Sequence, residues 1–296
     1  MECSSQGLHQ GRLDGFLFNY SLITNIDQDH IDYHLNLTNY VNSKLKIINQ
    51  SETSILNYDC VKLNKIDMKK YTCNVSFISK KKHQNPKVIN TSLGYDFDSS
   101  VNFNTYSLLM IAAIMKLENF SKPKIKKSFE KLTPLMGRRQ VIDTKNKGTF
   151  IIDYAHTSAA YKGIYKEFAV SKKICTLFGC GGDRDQTKRA QTGRIVDKYS
   201  SKIIITSDNS RTERFEKIQK DILEGIKNTK KVIVIRSRKE AIRHMFKHSS
   251  HNQLNFILGK GNENYIFENR KKIHHNDIIY LKKLLRNYEH KTIQDC

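Results

Sequence analysis

Asp29, His30, Asp32 and His34 crowd into the segment TNIDQDHIDYH (24–34). Carboxylate oxygens and a neutral imidazole suit a hard cation such as Mg²⁺ or Mn²⁺, and the same residues equally make a solvated turn. Other polar clusters each follow a short apolar run: Tyr154 to His156, Gly181 to Asp185, Asp208 to Arg211 and Gly259 to Glu263. The one lysine-containing glycine motif is LGKGNE (258–263), and no G-x-x-G-K-[ST] phosphate loop occurs. Cysteines stand at 3, 60, 73, 175, 180 and 296 with no C-x-x-C pair and no histidines at zinc spacing, so they read as reduced, mostly buried thiols.

The elements that must position these residues are clearest from 149 onward. Strand-like runs at 149–154, 174–180, 202–208, 232–237 and 255–261 alternate with amphipathic stretches near 159–170, 189–200, 214–227, 238–247 and 276–287. That alternation predicts a parallel sheet covered on both faces, with sites gathered at the C-terminal ends of its strands. The first half is less regular. Residues 15–26 read as strand, 37–48 as helix, the segments near 54–62, 70–80 and 87–97 as strands of an antiparallel or mixed sheet, and 106–117 as a strongly apolar helix. Pro123, Pro134 and Gly137 mark a junction, which places a domain boundary near 136.

The 51 Lys+Arg against 29 Asp+Glu give a formal net charge of +22. The basic residues are scattered among Asn and Ile rather than gathered with aromatics on one stripe, which argues against a specific nucleic-acid role. The N-terminus has no basic region followed by an apolar one, and the longest apolar run, 108–115, is far too short to span a membrane. A cytoplasmic protein is expected.

Taken in order, the motifs resemble those of the Mur ligase family. MECSSQGL (1–8), TNIDQDHIDYH (24–34) and NYVNSK (39–44) are similar to three consecutive motifs of the family's central domain. GRRQVI (137–142) and DYAHT (153–157) resemble the opening of its last domain, and FGCGGDRDQTKR (178–189), DNSR (208–211) and GKGNE (259–263) resemble its FGCGGDRD, DNPR and GKGHE. The last two point to the MurE branch. The resemblance implies an α/β protein: a partial Mur ligase central (ATPase) domain with a mixed sheet and helices over 1–136, then a Rossmann-like parallel α/β amino-acid-binding domain over 137–296.

The implied activity is ATP-dependent amide-bond formation in peptidoglycan precursor synthesis. Meso-diaminopimelate would be added to UDP-MurNAc-L-Ala-D-Glu through an acyl phosphate, with ATP and Mg²⁺ as cofactors. By resemblance Glu2 and His30 are magnesium ligands, and Lys44 matches the lysine the family carries as a carbamate. CO₂ adds only to an unprotonated amine, so such a lysine needs burial to lower its pKa. Resemblance also assigns Ser4, Gln10 and Arg12 to the UDP-MurNAc-dipeptide, and Asn25, Arg138, Asp153 and His156 to the nucleotide or its surroundings. Asp153 and His156 read equally well as strand-end residues with local hydrogen bonds. Arg211 is expected to clamp the distal carboxylate of meso-diaminopimelate with two parallel hydrogen bonds, which L-lysine could not accept. Arg184, Asp208, Asn209, Ser210, Gly259 and Glu263 complete that pocket, Glu263 being suited to the distal ammonium.

This sequence departs from the family pattern in several places. Ser210 stands where DNPR has Pro, Asn262 where GKGHE has His, and Ser107 where the family's FNxxN helix has Asn. The family's P-loop and uridine-binding domain lie upstream of the segment resembling MECSSQGL, so the sequence suggests an N-terminally truncated ligase. Such a chain is expected to be inactive alone, unless a separate fragment carrying the P-loop joins it. The alternatives are a non-catalytic diaminopimelate- or muropeptide-binding remnant and, distantly, a basic nucleic-acid-binding protein.

Overall fold

A computed structural model describes residues 1–27, 29–80, 87–89, 105–133, 135–168 and 173–294. The chain divides into two compact units, Met1–Thr133 and Pro134–Cys296.

In the first unit, β1 (Phe18–Ile23), β2 (Ser51–Asn57) and β3 (Asn74–Ile78) pair in that order. They are preceded by α1 (Ser5–His9), and α2 (Ile31–His34) and α3 (Leu37–Leu45) lie between β1 and β2. Two further helices, α4 (Thr105–Leu117) and α5 (Lys122–Glu130), follow β3. Where the residue pattern suggests an antiparallel or mixed sheet, both described pairings are parallel, with Tyr20 opposite Thr53 and Ile55 opposite Ser76. The reason is the helical crossover between β1 and β2, which returns the chain to the same end of the sheet. The helix expected over 37–48 ends at Leu45 and tightens into a 3₁₀ turn, Lys46–Gln50. Most of the segment expected as a strand over 87–97 lies outside the described residues; at its start Val88 bridges Phe77.

In the second unit a six-stranded sheet runs in the order β4-β5-β9-β6-β7-β8. Its members are β4 (Gln140–Thr144), β5 (Gly148–Asp153), β6 (Lys173–Phe178), β7 (Lys202–Ile205), β8 (Val232–Val234) and β9 (Gln253–Leu258). All pair in parallel except β4, an antiparallel edge strand that the sequence reading missed because it lies inside the junction motif. Alternate side chains enter opposite layers. Ile151, Phe178 and Phe256 meet α6 (Ser158–Phe168), α7 (Thr187–Tyr199) and α8 (Phe215–Leu223), while Phe150, Leu177 and Ile257 meet α9 (Arg238–His248) and α10 (Asp277–Gln294). Burial on both faces explains the near-continuous apolar runs. A hairpin also unforeseen from sequence, β10 (Tyr265–Glu268) with β11 (Lys271–His274), stands between β9 and α10.

After β8 the chain reverses direction and inserts β9 between β5 and β6. The loops leaving β5, β6, β7 and β9 therefore share one end of the sheet around a topological switch point, where open α/β sheets bind ligands. Among the described residues no helix is long and apolar enough to cross a membrane.

Candidate functional site

In the first unit a cavity of about 610 Å³ runs beside β1 and is lined by Glu2, Tyr20, Asn25 and Lys44 together with apolar residues that include Phe18 and Ile114. Burial pushes the Lys44 ammonium below the ordinary lysine range, while Asp29 and Glu2 pull it back up. His30 does not line the cavity. It precedes α2 in a left-handed conformation (φ 53°), its backbone amide donates to Asp29 Oδ1 at 2.9 Å, and its Nε2 lies 3.6 Å from Asp29 Oδ2.

The polar cluster at 29–34 is split by the helical turn. Asp32 is exposed, whereas His34 is buried, with Nε2 3.0 Å from Ser5 Oγ and Nδ1 3.4 Å from Ser43 Oγ. His34 thus bridges α1 to α3. Burial lowers its pKa, as do His9, His30 and Lys44, against the opposing pull of Asp32. Ser4 caps α1, its Oγ accepting from the Gly7 amide at 3.0 Å. Gln10 Nε2 donates to the Tyr33 hydroxyl at 2.8 Å, and Arg12 is exposed.

No group of three His, Cys, Asp or Glu side chains that could hold a metal occurs among the described residues. The fit to magnesium therefore depends on Lys44. As an ammonium it would repel a cation; as a carbamate it would add a second anionic group to the Glu2 side of the cavity.

In the second unit Arg138, Asp153 and His156 gather at the C-terminal end of β5. The Arg138 guanidinium stacks 4.5 Å from the centre of the Tyr154 ring. Asp153 accepts from the Arg139 and Ala155 amides, each at 2.7 Å, and its pKa is raised by burial against the pull of those bonds. His156 is exposed, its Nδ1 3.0 Å from the Tyr154 carbonyl. Local hydrogen bonding thus accounts for both oxygens of Asp153.

The loops after β6, β7 and β9 interlock. Asn209 Nδ2 donates to Glu263 Oε2 at 2.9 Å, and Asn209 Oδ1 accepts from the Phe267 amide of β10 at 2.8 Å and from Lys260 Nζ at 3.1 Å. Arg211 Nη1 donates to the carbonyls of Gly182 (2.7 Å) and Asn209 (3.2 Å), which fixes the side chain; among the described residues nothing pairs with its Nε or Nη2. Arg211 has φ 55°, and its own amide and carbonyl bond Phe267 and Asn269. Arg184 stands exposed on the neighbouring loop. Two glycines permit this closeness. A Cβ on Gly182 would lie 2.0 Å from the Ser210 carbonyl oxygen, and Gly259 has φ +111° with room for no Cβ beside Asp208 Oδ2 at 2.6 Å.

Arg189 holds the two loops from beneath. It is fully buried, its Nη1 and Nη2 donate to Glu213 at 2.7 and 2.6 Å, Nη1 also reaches Asp221 at 2.7 Å, and Nη2 reaches the Gly181 carbonyl at 3.1 Å. Neither Arg189 nor Lys260 was singled out from sequence. Both lie inside recognisable motifs, which was the available signal.

Residues 1–142 match the description "Mur ligase middle domain" and residues 137–261 match "Mur ligase, glutamate ligase domain". UDP-N-acetylmuramoyl-L-alanyl-D-glutamate--2,6-diaminopimelate ligase of Helicobacter pylori is 34% identical over 97% of this chain and 68% of its own length. The chain belongs to the Mur ligase family. Like-named ligases of Wigglesworthia glossinidia brevipalpis and of Buchnera aphidicola from Acyrthosiphon pisum are each 35% identical, over 96% and 99% of this chain. This Mur ligase chain spans 62% and 64% of their respective lengths. A solved structure of a ligase of that name aligns with a TM-score of 0.52 at 25% identity, covering 98% of this chain and 64% of that one. A pseudomurein peptide ligase of Methanothermus fervidus shares the fold with a TM-score of 0.64 at 15% identity.

The family departures have clear positions in this Mur ligase. Ser210 is buried in the loop after β7, where its amide bonds the Asp208 carbonyl at 3.0 Å and its carbonyl accepts from the Glu213 amide at 3.0 Å. The loop is therefore held without the proline. Asn262 is exposed.

Proposed function

We propose that this chain contributes the metal-side and amine-acceptor groups of an ATP-dependent ligase that adds meso-diaminopimelate to UDP-MurNAc-L-Ala-D-Glu. One observation carries the reading: Arg211, held by the Gly182 carbonyl and with Nε and Nη2 unpaired among the described residues, shares one strand-end cluster with Asn209 and Glu263. A planar guanidinium edge and a carboxylate linked through one asparagine suit an acceptor with a distal carboxylate and a distal ammonium. Glu263 Oε2 is occupied by Asn209 and Lys260, while Oε1 has a longer 3.4 Å contact to the Tyr154 hydroxyl. Oε1 is the oxygen that would meet the ligand's ammonium.

Amide formation through an acyl phosphate requires positioning of the amine and neutralisation of phosphate charge. Glu2 and carbamylated Lys44, which line one cavity, would hold magnesium together with His30, which the family resemblance adds from outside that lining; bound magnesium would supply charge neutralisation at the phosphates. In the first unit Asn25 would serve the nucleotide and Ser4, Gln10 and Arg12 the muramoyl peptide; in the second, Arg184, Asp208, Ser210 and Gly259 would complete the acceptor pocket. Calorimetric titration of the chain with meso-diaminopimelate and with L-lysine tests the acceptor reading. Heat and saturation are expected with the first amine at concentrations where the second gives none; equal affinity for both would defeat it.

A further inference from the structure

We propose that Lys260 is a positioning residue of the amine-acceptor site, fixing which oxygen of Glu263 meets the ligand's distal ammonium. The inference rests on the acceptor reading above. Lys260 is fully buried immediately after β9. Its Nζ lies 2.6 Å from Glu263 Oε2, 3.1 Å from Asn209 Oδ1 and 3.4 Å from Asp208 Oδ1. Three acceptors match the three N–H bonds of an ammonium, and they come from two loops, one after β7 and one after β9.

A buried ammonium is costly unless paired and hydrogen-bonded, and here two carboxylates and an amide oxygen satisfy it. The consequence falls on Glu263. Lys260 and Asn209 both donate to Oε2, so the carboxylate cannot rotate without breaking two bonds, and Oε1 stays turned toward Tyr154. Asn209 is held in turn because its Oδ1 accepts from Lys260 and from the Phe267 amide. Lys260 thereby ties the β7 loop, the β9 loop and the β10 strand around a single charge, without itself being exposed to a ligand.

The test uses the full chain as wild type and as Lys260→Met. Amide hydrogen exchange is read at Arg211 and Phe267 against core amides of β6 and β9. Calorimetry compares meso-diaminopimelate with 2-aminopimelate, which keeps the distal carboxylate but lacks the distal ammonium. In Lys260→Met, exchange at Arg211 and Phe267 should quicken while the core amides hold. The preference for meso-diaminopimelate over 2-aminopimelate should fall by about tenfold or more, as expected for hydrogen bonds to charged groups. Unchanged exchange at those two amides, or equal weakening of both ligands, would overturn the proposal, the second result being what a merely structural lysine gives. A wild-type chain that binds neither ligand would sink the acceptor reading, and the exchange measurement would still decide whether Lys260 orders the loops. Should Lys260→Met not fold, Lys260→Arg gives the same readings, because a planar fork cannot meet three converging acceptors as a compact ammonium does.

Discussion

At Arg211, Nη1 orders the loop carbonyls of Gly182 and Asn209, and under the acceptor reading the Nε–Nη2 edge, unpaired among the described residues, would take the ligand's distal carboxylate. Arg211→Ala should therefore cost meso-diaminopimelate binding about 2–5 kcal/mol, the range for removing one partner of a buried charge pair. L-lysine, lacking the distal carboxylate, should be affected far less; parallel losses in calorimetry would show that Arg211 does not read that carboxylate. Lys44 makes a second residue-scale prediction. Because burial depresses its pKa, a larger share of the side chain is free amine at a given pH than in an exposed lysine. With ¹³C-bicarbonate, a carbamate carbon signal is expected that weakens as pH falls and the amine protonates, and that disappears in Lys44→Ala. A signal that survives in the variant would assign the carbamate elsewhere.

At the scale of elements, the loops after β6 and β7 are stitched together through Glu213. Its pKa is held at about 2, chiefly by the hydrogen bonds of Arg189, with desolvation opposing and the Asp183 amide assisting. A carboxylate whose folded pKa lies below its unfolded value stabilises the fold above the unfolded value, and loses that contribution as pH falls through the folded one. The window here runs from the ordinary value of 4.5 down to about 2. Urea denaturation followed against pH should show wild type well above Glu213→Gln at neutral pH, with the gap closing across that window. A gap that stays constant into acid would mean that the Arg189 pairing is not the source of the stability.

For the molecule as a whole, these 296 residues contain no G-x-x-G-K-[ST] sequence. Phosphoryl transfer in P-loop enzymes needs backbone amides and a lysine wrapped around the β- and γ-phosphates. A polypeptide of these residues alone, given ATP, Mg²⁺, UDP-MurNAc-L-Ala-D-Glu and meso-diaminopimelate, is expected to yield no tripeptide product by mass spectrometry. Adding a P-loop-bearing fragment is the condition for recovery. Product at an ordinary enzymatic rate without that fragment would mean that another segment cradles the phosphates.

The sequence by itself determined the strand and helix alternation of the second half, because burial on both faces writes continuous apolar runs and the covering helices write their own period. It also determined the order of the motifs, and through them the family. The antiparallel edge strand β4 and the hairpin β10–β11 were not legible, since short strands at a junction or inside a polar stretch carry little periodic signal. Nor could local pattern show that His34 turns inward to two serines while its neighbour His30 faces Asp29. The family resemblance already grouped Asp208, Asn209 and Glu263, and only tertiary structure showed that buried Lys260 joins them and which atoms meet. Asp208, Asn209, Lys260 and Glu263 meet because β9 returns to the middle of the sheet and brings its loop beside the one after β7. Once there, a buried ammonium must find its acceptors, and that requirement fixes the side chains that the motifs only named.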